Sequence, residues 1–240
     1  GKGRMQEIDV IAAAAEYALT PKTLLGKHIL ITAGPTQESI DPVRYISNAS
    51  TGKMGYALVR ACLCRGAAVT LVSGPTQLSL DAWKEFTPLN IHHVTSSEEM
   101  CTVTTQEFPQ ADIAILCAAV ADFTPKTAMD RKIKKQPGQT EMHIELKTTT
   151  DIAATLGKNK QVQQKLIGFA LETHNEQANA ERKLQSKNLD MIILNSLQDK
   201  GAGFGVDTNK VTIIHNNGTK KDLPLLSKQE VADAIIESIF

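Results

Sequence analysis

Between Ile31 and Gly55 the chain reads ITAGPTQESIDPVRYISNASTGKMG, and this stretch limits the possible fold more than any other. It starts at the end of an apolar run, His28 to Thr32, that suits one buried strand. A loop crowded with turn formers follows and closes on Ser50-Thr51-Gly52-Lys53-Met54-Gly55 at the mouth of a helix. Unpaired backbone N–H groups and the helix dipole make such a strand–loop–helix junction a site for anions, phosphate above all. Met54, Ala57, Leu58, Ala61 and Cys62 then recur at helical spacing as one buried stripe, with Gly66 placed as a left-handed cap. Ala67 to Gly74 is a second apolar strand. Strand, helix and strand form the first unit of a doubly wound sheet, whose ligands sit at the carboxyl ends of the strands.

An ordinary dinucleotide fold fits less well. The glycines run Gly52-x-x-Gly55 without the full GxGxxG, and the second strand ends Leu71-Val72-Ser73-Gly74, where an acid for the ribose would stand. None of Tyr17, Tyr45 and Tyr56 has the lysine four residues on that a short-chain reductase requires.

The remaining chain alternates strand and helix. Strands are expected over Asn90 to Thr95, Asp112 to Ala121, Lys165 to Glu172, Met191 to Ser196 and Lys210 to Asn216, the second of these fully buried by its unbroken apolar run. Capping boxes at Ser96-x-x-Glu99, Thr173-x-x-Glu176 and Ser227-x-x-Glu230 open helices, and Thr150-Asp151 caps a short one. The last helix should turn Val231, Ala234, Ile235, Ser238 and Ile239 inward. Asn217-Gly218 marks a hairpin, so a terminal antiparallel pair is expected. Phe123 to Gln139 is polar and basic, and Glu141 to Thr149 alternates like an outlying strand.

Net charge is zero over 240 residues, so no broad field gathers nucleic acid or an anionic membrane. The longest apolar run, Ile113 to Ala121, is far short of a membrane span. Cys62, Cys64, Cys101 and Cys117 show no zinc spacing and read as reduced thiols of a cytoplasmic protein.

Several residues carry two readings. Arg131, Lys132, Lys134 and Lys135 form a dense basic cluster beside a strand end, either a solvated face or a polyphosphate clamp. Lys183 and Lys187 lie one helical turn apart with no glutamate four residues earlier, so they read as an unneutralised pair suited to phosphate. Phe169 suits the core, Asp122 a structural turn, and Asn48 an Asx-turn capping the helix start.

The opening motif resembles that of the phosphopantothenoylcysteine synthetases, of the bacterial type fused behind a decarboxylase. The likeness extends to Ala118-Ala119-Val120-Ala121-Asp122, Lys132-Ile133-Lys134-Lys135, Gly168-Phe169-Ala170-Leu171-Glu172-Thr173 and Lys187-Asn188-Leu189-Asp190. The resemblance implies a Rossmann-like, mostly parallel sheet over residues 26–240, with a protruding segment that contributes to a homodimer. A mobile surface loop is the alternative for that segment. GKGRMQE resembles the close of a decarboxylase domain, so residues 1–25 are expected to be its last helix and linker; a helix belonging to the present domain is the alternative.

The implied reaction couples 4′-phosphopantothenate to cysteine with CTP, through an acyl-cytidylate. Magnesium should accompany the CTP, and no flavin is expected in this part of the protein. By resemblance Asn48 and Lys132 are catalytic, and Arg44, Asn48, Ala118, Ala119 and Asp122 meet the acyl substrate. The nucleotide would lie against Gly34, Ser50, Gly52 and Gly55 on one loop and Leu116, Cys117, Ala118 and Asp122 on another. Its further contacts would be Thr150 through Ala153, Phe169 and the lysines Lys132, Lys183 and Lys187. The rival readings are an NAD(P)-dependent reductase and a nucleotide-binding module without catalysis.

Overall fold

The computed structural model describes residues 3, 5–86, 88–172, 174–196 and 205–239. Helix α1 (Ile8–Leu19) precedes strand β1 (His28–Ala33), a small antiparallel pair β2 (Gln37–Ser39) and β3 (Tyr45–Ser47), helix α2 (Lys53–Cys64) and strand β4 (Ala68–Ser73). Next come β5 (Leu89–His93), α3 (Ser97–Glu107), β6 (Ile113–Leu116), and the paired β7 (Phe123–Pro125) and β8 (Leu146–Thr148). The chain continues through α4 (Ile152–Asn159), β9 (Lys165–Glu172), α5 (Glu176–Ser186) and β10 (Met191–Ser196). It ends with β11 (Thr208–Asn209), β12 (Val211–His215), β13 (Lys220–Asp222), β14 (Leu226–Ser227) and α6 (Lys228–Ser238).

Eight strands form the main sheet in the order β13-β12-β10-β9-β6-β1-β4-β5. The six from β10 to β5 are parallel, while β12 and β13 join antiparallel at one edge. From β1 the chain winds outward to β4 and β5, then returns to β6 on the other side of β1. The order therefore reverses between β1 and β6, the switch point beside which ligands of this architecture sit.

Alternation along the strands feeds two cores. Ile29, Ile31 and Ala33 of β1 face α2 and α6, whereas Leu30 faces the side of α3, α4 and α5. Helix α2 is buried more widely than its expected stripe: Tyr56, Val59, Leu63 and Cys64 are inside as well. It is pressed between the sheet and α6, so almost every side of it has a neighbour. On α6 the buried set is Val231, Ala232, Ile235, Ile236 and Ile239, with Ala234 and Ser238 only half-buried. The inward face is turned toward Ala232 and Ile236 because α6 meets α2 as well as the sheet.

Close approach fixes two glycines. A Cβ on Gly55 would stand 2.4 Å from that of Ala33, so α2 can lie on β1 only with glycine there. A Cβ on Gly74 would stand 1.8 Å from the carbonyl oxygen of Pro35.

Other differences from expectation have local causes. Strand β6 stops at Leu116: Cys117 N–H still reaches the carbonyl of Thr32 in β1, and from Ala118 onward the backbone bonds to the Thr32 hydroxyl and to the loop after β1. Thr173 lies outside the described residues, and α5 opens on Asn175 in a left-handed conformation without a side-chain cap. The boxes at Ser96–Glu99 and Ser227–Glu230 both form, as does the cap of Asp151 on the N–H of Ala154. The outlying strand is only Leu146–Thr148, set against Phe123–Pro125.

Helix α1 packs on the domain. Ala13 and Leu24 are buried, Glu16 pairs with Arg60 of α2, and the Tyr17 and Phe86 rings stack 5.4 Å apart. No helix among the described residues is long and apolar enough to cross a membrane.

The arm between β7 and β8 is anchored by Asp41. Its carboxylate pairs with Arg44 and accepts the N–H groups of Val43, Arg44 and, at 3.1 Å, Ile133. Arg44 also donates to the carbonyl of Ile133 at 3.0 Å. The Arg44 guanidinium holds the Asp41 carboxyl well below the usual carboxylate range, against the opposing effect of burial and with help from those N–H groups. A folded-state value below the unfolded one means that the stabilisation is complete above about pH 4 and is lost as pH falls further. The melting temperature of wild type should therefore exceed that of Asp41→Asn at pH 7, and the gap should narrow below about pH 4. Thermal melts across that range check this; a gap unchanged at pH 3 would contradict it.

Candidate active site

A cavity of about 690 Å³ opens at the carboxyl ends of β6, β9 and β10, beside the start of α2. Its rear wall is built by the chain segments leaving β1 and β6. Cys117 N–H donates to the carbonyl of Thr32, Ala118 N–H to the Thr32 hydroxyl, and Ala119 N–H to the carbonyl of Gly34. Thr36 N–H donates back to the carbonyl of Ala119, while its buried hydroxyl accepts Ala121 N–H at 3.0 Å. Residues 117–121 are thereby stitched to residues 32–36.

Asn48 adds a third strand to this stitching. Its Nδ2 donates to the carbonyls of Ala119 at 3.0 Å and Val120 at 3.1 Å. It does not cap the helix: Gly52, at φ 80°, is the cap residue of α2, and Ser50 Oγ accepts Gly52 N–H at 3.3 Å. The first N–H groups of α2 have no earlier turn to bond to and face the cavity with the positive end of the helix dipole.

The opposite wall comes from α4 and α5. Asp151 caps α4 and meets Lys187 at 2.8 Å, and Lys183 meets Glu172 at 2.6 Å. The expectation of an unneutralised lysine pair is therefore corrected, since both partners come from distant sequence rather than from the helix itself. Burial pushes Asp151 upward, but the hydrogen bonds from Lys187 and Ala154 N–H and the two lysine charges outweigh it, and the net direction is down. Both lysines remain on the cavity wall, so a polyanion can draw them from their carboxylates.

Most expected site residues meet there: Asn48, Ser50, Gly52, Gly55, Leu116 through Ala119, Asp122, Thr150 through Ala153, Phe169, Lys183 and Lys187. Three do not reach the wall. Gly34 lies beneath Gly52, Arg44 is engaged with Asp41 and Ile133, and Lys132 sits on the exposed arm. On the far side of β1, Gly74 fills the place of a ribose-binding acid, with its backbone against Pro35.

Sequence reasoning missed four further lining residues, Lys53, Asn195, Asn209 and Lys228. Lys53 donates to the carbonyl of Gly205 and pairs with Asp207 at 2.7 Å. Lys228, only 8% exposed, donates to the carbonyls of Val206 and Thr208. Burial and the neighbouring Lys53 lower its pKa, opposed by Asp207. Lys53 could have been noticed, since it stands inside the glycine motif. The others are brought in by the return of the chain through β10–β14 and carry no local signal.

The sequence profile of the DNA/pantothenate metabolism flavoprotein C-terminal domain matches residues 24–240. The chain is 48% identical over 245 residues to the coenzyme A biosynthesis bifunctional protein CoaBC of Bacillus subtilis (strain 168), covering all of this chain and 58% of that protein. It is 50% identical over 244 residues to a cysteine/cysteine sulfinic acid decarboxylase from an unknown prokaryotic organism, covering 66% of that protein. The chain thus spans about three-fifths to two-thirds of the length of these relatives. A crystal structure of the C-terminal domain of a bifunctional CoaBC superposes with a TM-score of 0.74 at 42% identity, over 91% of this chain and 96% of that one. By sequence and by fold, the chain belongs to the DNA/pantothenate metabolism flavoprotein C-terminal domain family.

Proposed function

We propose that this chain is a CTP-dependent phosphopantothenate–cysteine ligase of coenzyme A biosynthesis, working in the cytoplasm beside a fused decarboxylase domain. The observation that carries the reading is one cavity joining the α2 N-terminus, the Asn48-braced loop and the Lys183–Lys187 wall. Two cationic ends suit a triphosphate at one and an anionic acyl substrate at the other. The carboxylate of 4′-phosphopantothenate attacks the α-phosphate of CTP, and pyrophosphate leaves. The amine of cysteine then displaces CMP from the acyl-cytidylate. Activation removes the barrier of expelling oxide from a carboxylate, and the protein contributes positioning and charge neutralisation.

Lys183 and Lys187 exchange their carboxylate partners for phosphate oxygens, and the α2 N–H groups hold a further anion. Asn48 keeps residues 119–120 in place beside the acyl group, carrying no charge that would repel it. A magnesium ion arriving with CTP would be held mainly by phosphates and water, with Asp122 and Asp151 the carboxylates at hand; bound, it neutralises the triphosphate. Gly74, standing where an acid for the ribose would be, disfavours the nicotinamide reading. The decarboxylase named for one relative is a property of a longer protein, and the cations here favour ligation.

Lys132 belongs, on this reading, to the site of a second copy. It stands away from its own cavity, and the surface around the arm exposes Val43, Tyr45, Phe123, Met129 and Met142, apolar groups that a partner would cover. The arm and its apolar surroundings support the homodimer.

Three experiments test this. The purified chain should release pyrophosphate from CTP only with phosphopantothenate present, and yield the amide on adding cysteine, with ATP a much poorer substrate. Equal use of ATP, or dependence on NAD, would contradict the assignment. Lys132→Gln should lower pyrophosphate release by roughly 10²–10³-fold without unfolding. Mixing Lys132→Gln with an inactive Asn48 variant should restore about a quarter of wild-type activity, because each randomly formed mixed dimer regains one intact site. No restoration would place Lys132 in its own chain's site.

A further inference from the structure

Helix α1 is apolar on two opposite sides, and the domain behind it covers only one of them. On the inner side Ala13 is buried and Val10, Ala14 and Tyr17 are half-buried. This side is fastened by the Tyr17–Phe86 stack, the Glu16–Arg60 pair and Lys22, whose Nζ donates to the carbonyl of Cys64 at 3.0 Å. On the outer side Ile8, Ile11, Ala12, Ala15, Ala18 and Leu19 fall at the spacing of one helical face, and all six are exposed. Ile8 and Leu19 are 76% and 84% exposed, as open as side chains on a loop. No polar or charged residue interrupts this stripe; Asp9 and Glu16 stand along its border. A helix of a soluble protein that is apolar all round belongs inside a protein, with a neighbour on each face.

We propose that the outer stripe of α1 docks the domain fused ahead of this one, so that a single helix lies with one face in each domain. The inference rests on the reading of a fused decarboxylase given above and names the surface that holds it. The Bacillus subtilis relative matches the whole of this chain, which covers only 58% of that protein. The superposing crystal structure is the C-terminal domain of a protein of the same kind, so there the unmatched length stands ahead of the matched part. Helix α1 precedes residue 24, where the family profile begins, yet it is shared with that relative. A domain tethered a few residues before Ile8 meets the stripe at an effective concentration on the order of millimolar, far above that of a free partner. An anionic lipid surface does not fit, because Glu7 and Asp9 beside the stripe are acidic where a membrane-lying helix carries lysine and arginine. A second copy already has the apolar surroundings of the arm. Held on both faces, α1 joins the two domains as a rigid bracket instead of a flexible linker.

Hydrogen–deuterium exchange of residues 8–19 tests this in the present chain and in the longer polypeptide that carries the preceding domain. In the longer protein the α1 amides should exchange roughly tenfold or more slowly. Ile8→Asp combined with Ile11→Asp should return them to the rate of the present chain, while pyrophosphate release from CTP stays within about twofold of wild type. Both side chains are exposed here, and aspartate near a helix start suits the dipole, so the inner face of α1 is left intact. The comparison of the two wild-type lengths stands even if the double variant of the longer protein does not fold. Equal α1 exchange in the two lengths, protection that survives the double substitution, or a gene encoding no preceding domain would overturn the proposal. So would protection in the present chain that rises with its own concentration, since a second copy would then cover the stripe. A protein that releases no pyrophosphate, with α1 still slow only in the longer form, would overturn the ligase reading and leave this inference in place.

Discussion

The stitching of residues 117–121 to residues 32–36 is the interaction on which the rest of the site depends. In a doubly wound sheet the strand order reverses once, and the loops on either side of that point have no reason to stay together. Here backbone bonds from Cys117, Ala119 and Thr36, with the hydroxyls of Thr32 and Thr36, hold them as one wall. The Thr36 and Thr32 side chains are buried, so water does not compete for these bonds. Asn48 then ties the approach to α2 onto the same wall. The position of the α2 N-terminus relative to the cavity follows from this network and from the contact of Gly55 with Ala33.

Charge is arranged around that wall so that no cation is left bare. Lys183, Lys187 and Lys53 each have an acidic partner at 2.6–2.8 Å, and Lys228 is satisfied by carbonyls. A neutral chain can thereby keep four lysines at one cavity. The Lys187–Asp151 pair is partly exposed and contributes little to stability, so exchanging Asp151 for a phosphate costs little, whereas Glu172 is largely buried and losing Lys183 would leave its carboxylate uncompensated. On the proposed reading Lys183 and Lys187 serve as an anion wall, while Lys53 and Lys228 hold residues 205–208 in place.

The sequence disclosed the elements whose signals are local. Ser96–Glu99 and Ser227–Glu230 are capping boxes because three residues suffice to make one, and β9 and β10 match their expected bounds because polar residues flank each buried run. It misled where tertiary bonding overrides composition. The apolar run through Ala121 looks like continuous strand, yet from Ala118 onward the chain leaves the sheet to bond to the Thr32 hydroxyl and the β1 loop. The partners of Lys183 and Lys187 lie eleven and thirty-six residues away, beyond any helical spacing rule. Asn48 reads equally well as a cap from sequence, and only the fold shows its amide spanning to residues 119 and 120. Asn195 and Asn209 become neighbours of the cavity through the β10–β14 return alone.

On the proposed reading Asn48 is where the wall and the chemistry meet, so Asn48→Asp is the most direct test. Aspartate keeps the size of the side chain but turns the donor facing two carbonyls into an anion beside an anionic substrate. The measurement is the ratio of amide formed to pyrophosphate released in single turnovers, taken with a thermal melt. The expected result is a folded protein whose amide yield falls by roughly 10²–10³-fold, with acyl transfer to cysteine damaged more than pyrophosphate release. Normal turnover by Asn48→Asp, or a loss fully explained by unfolding, would contradict it.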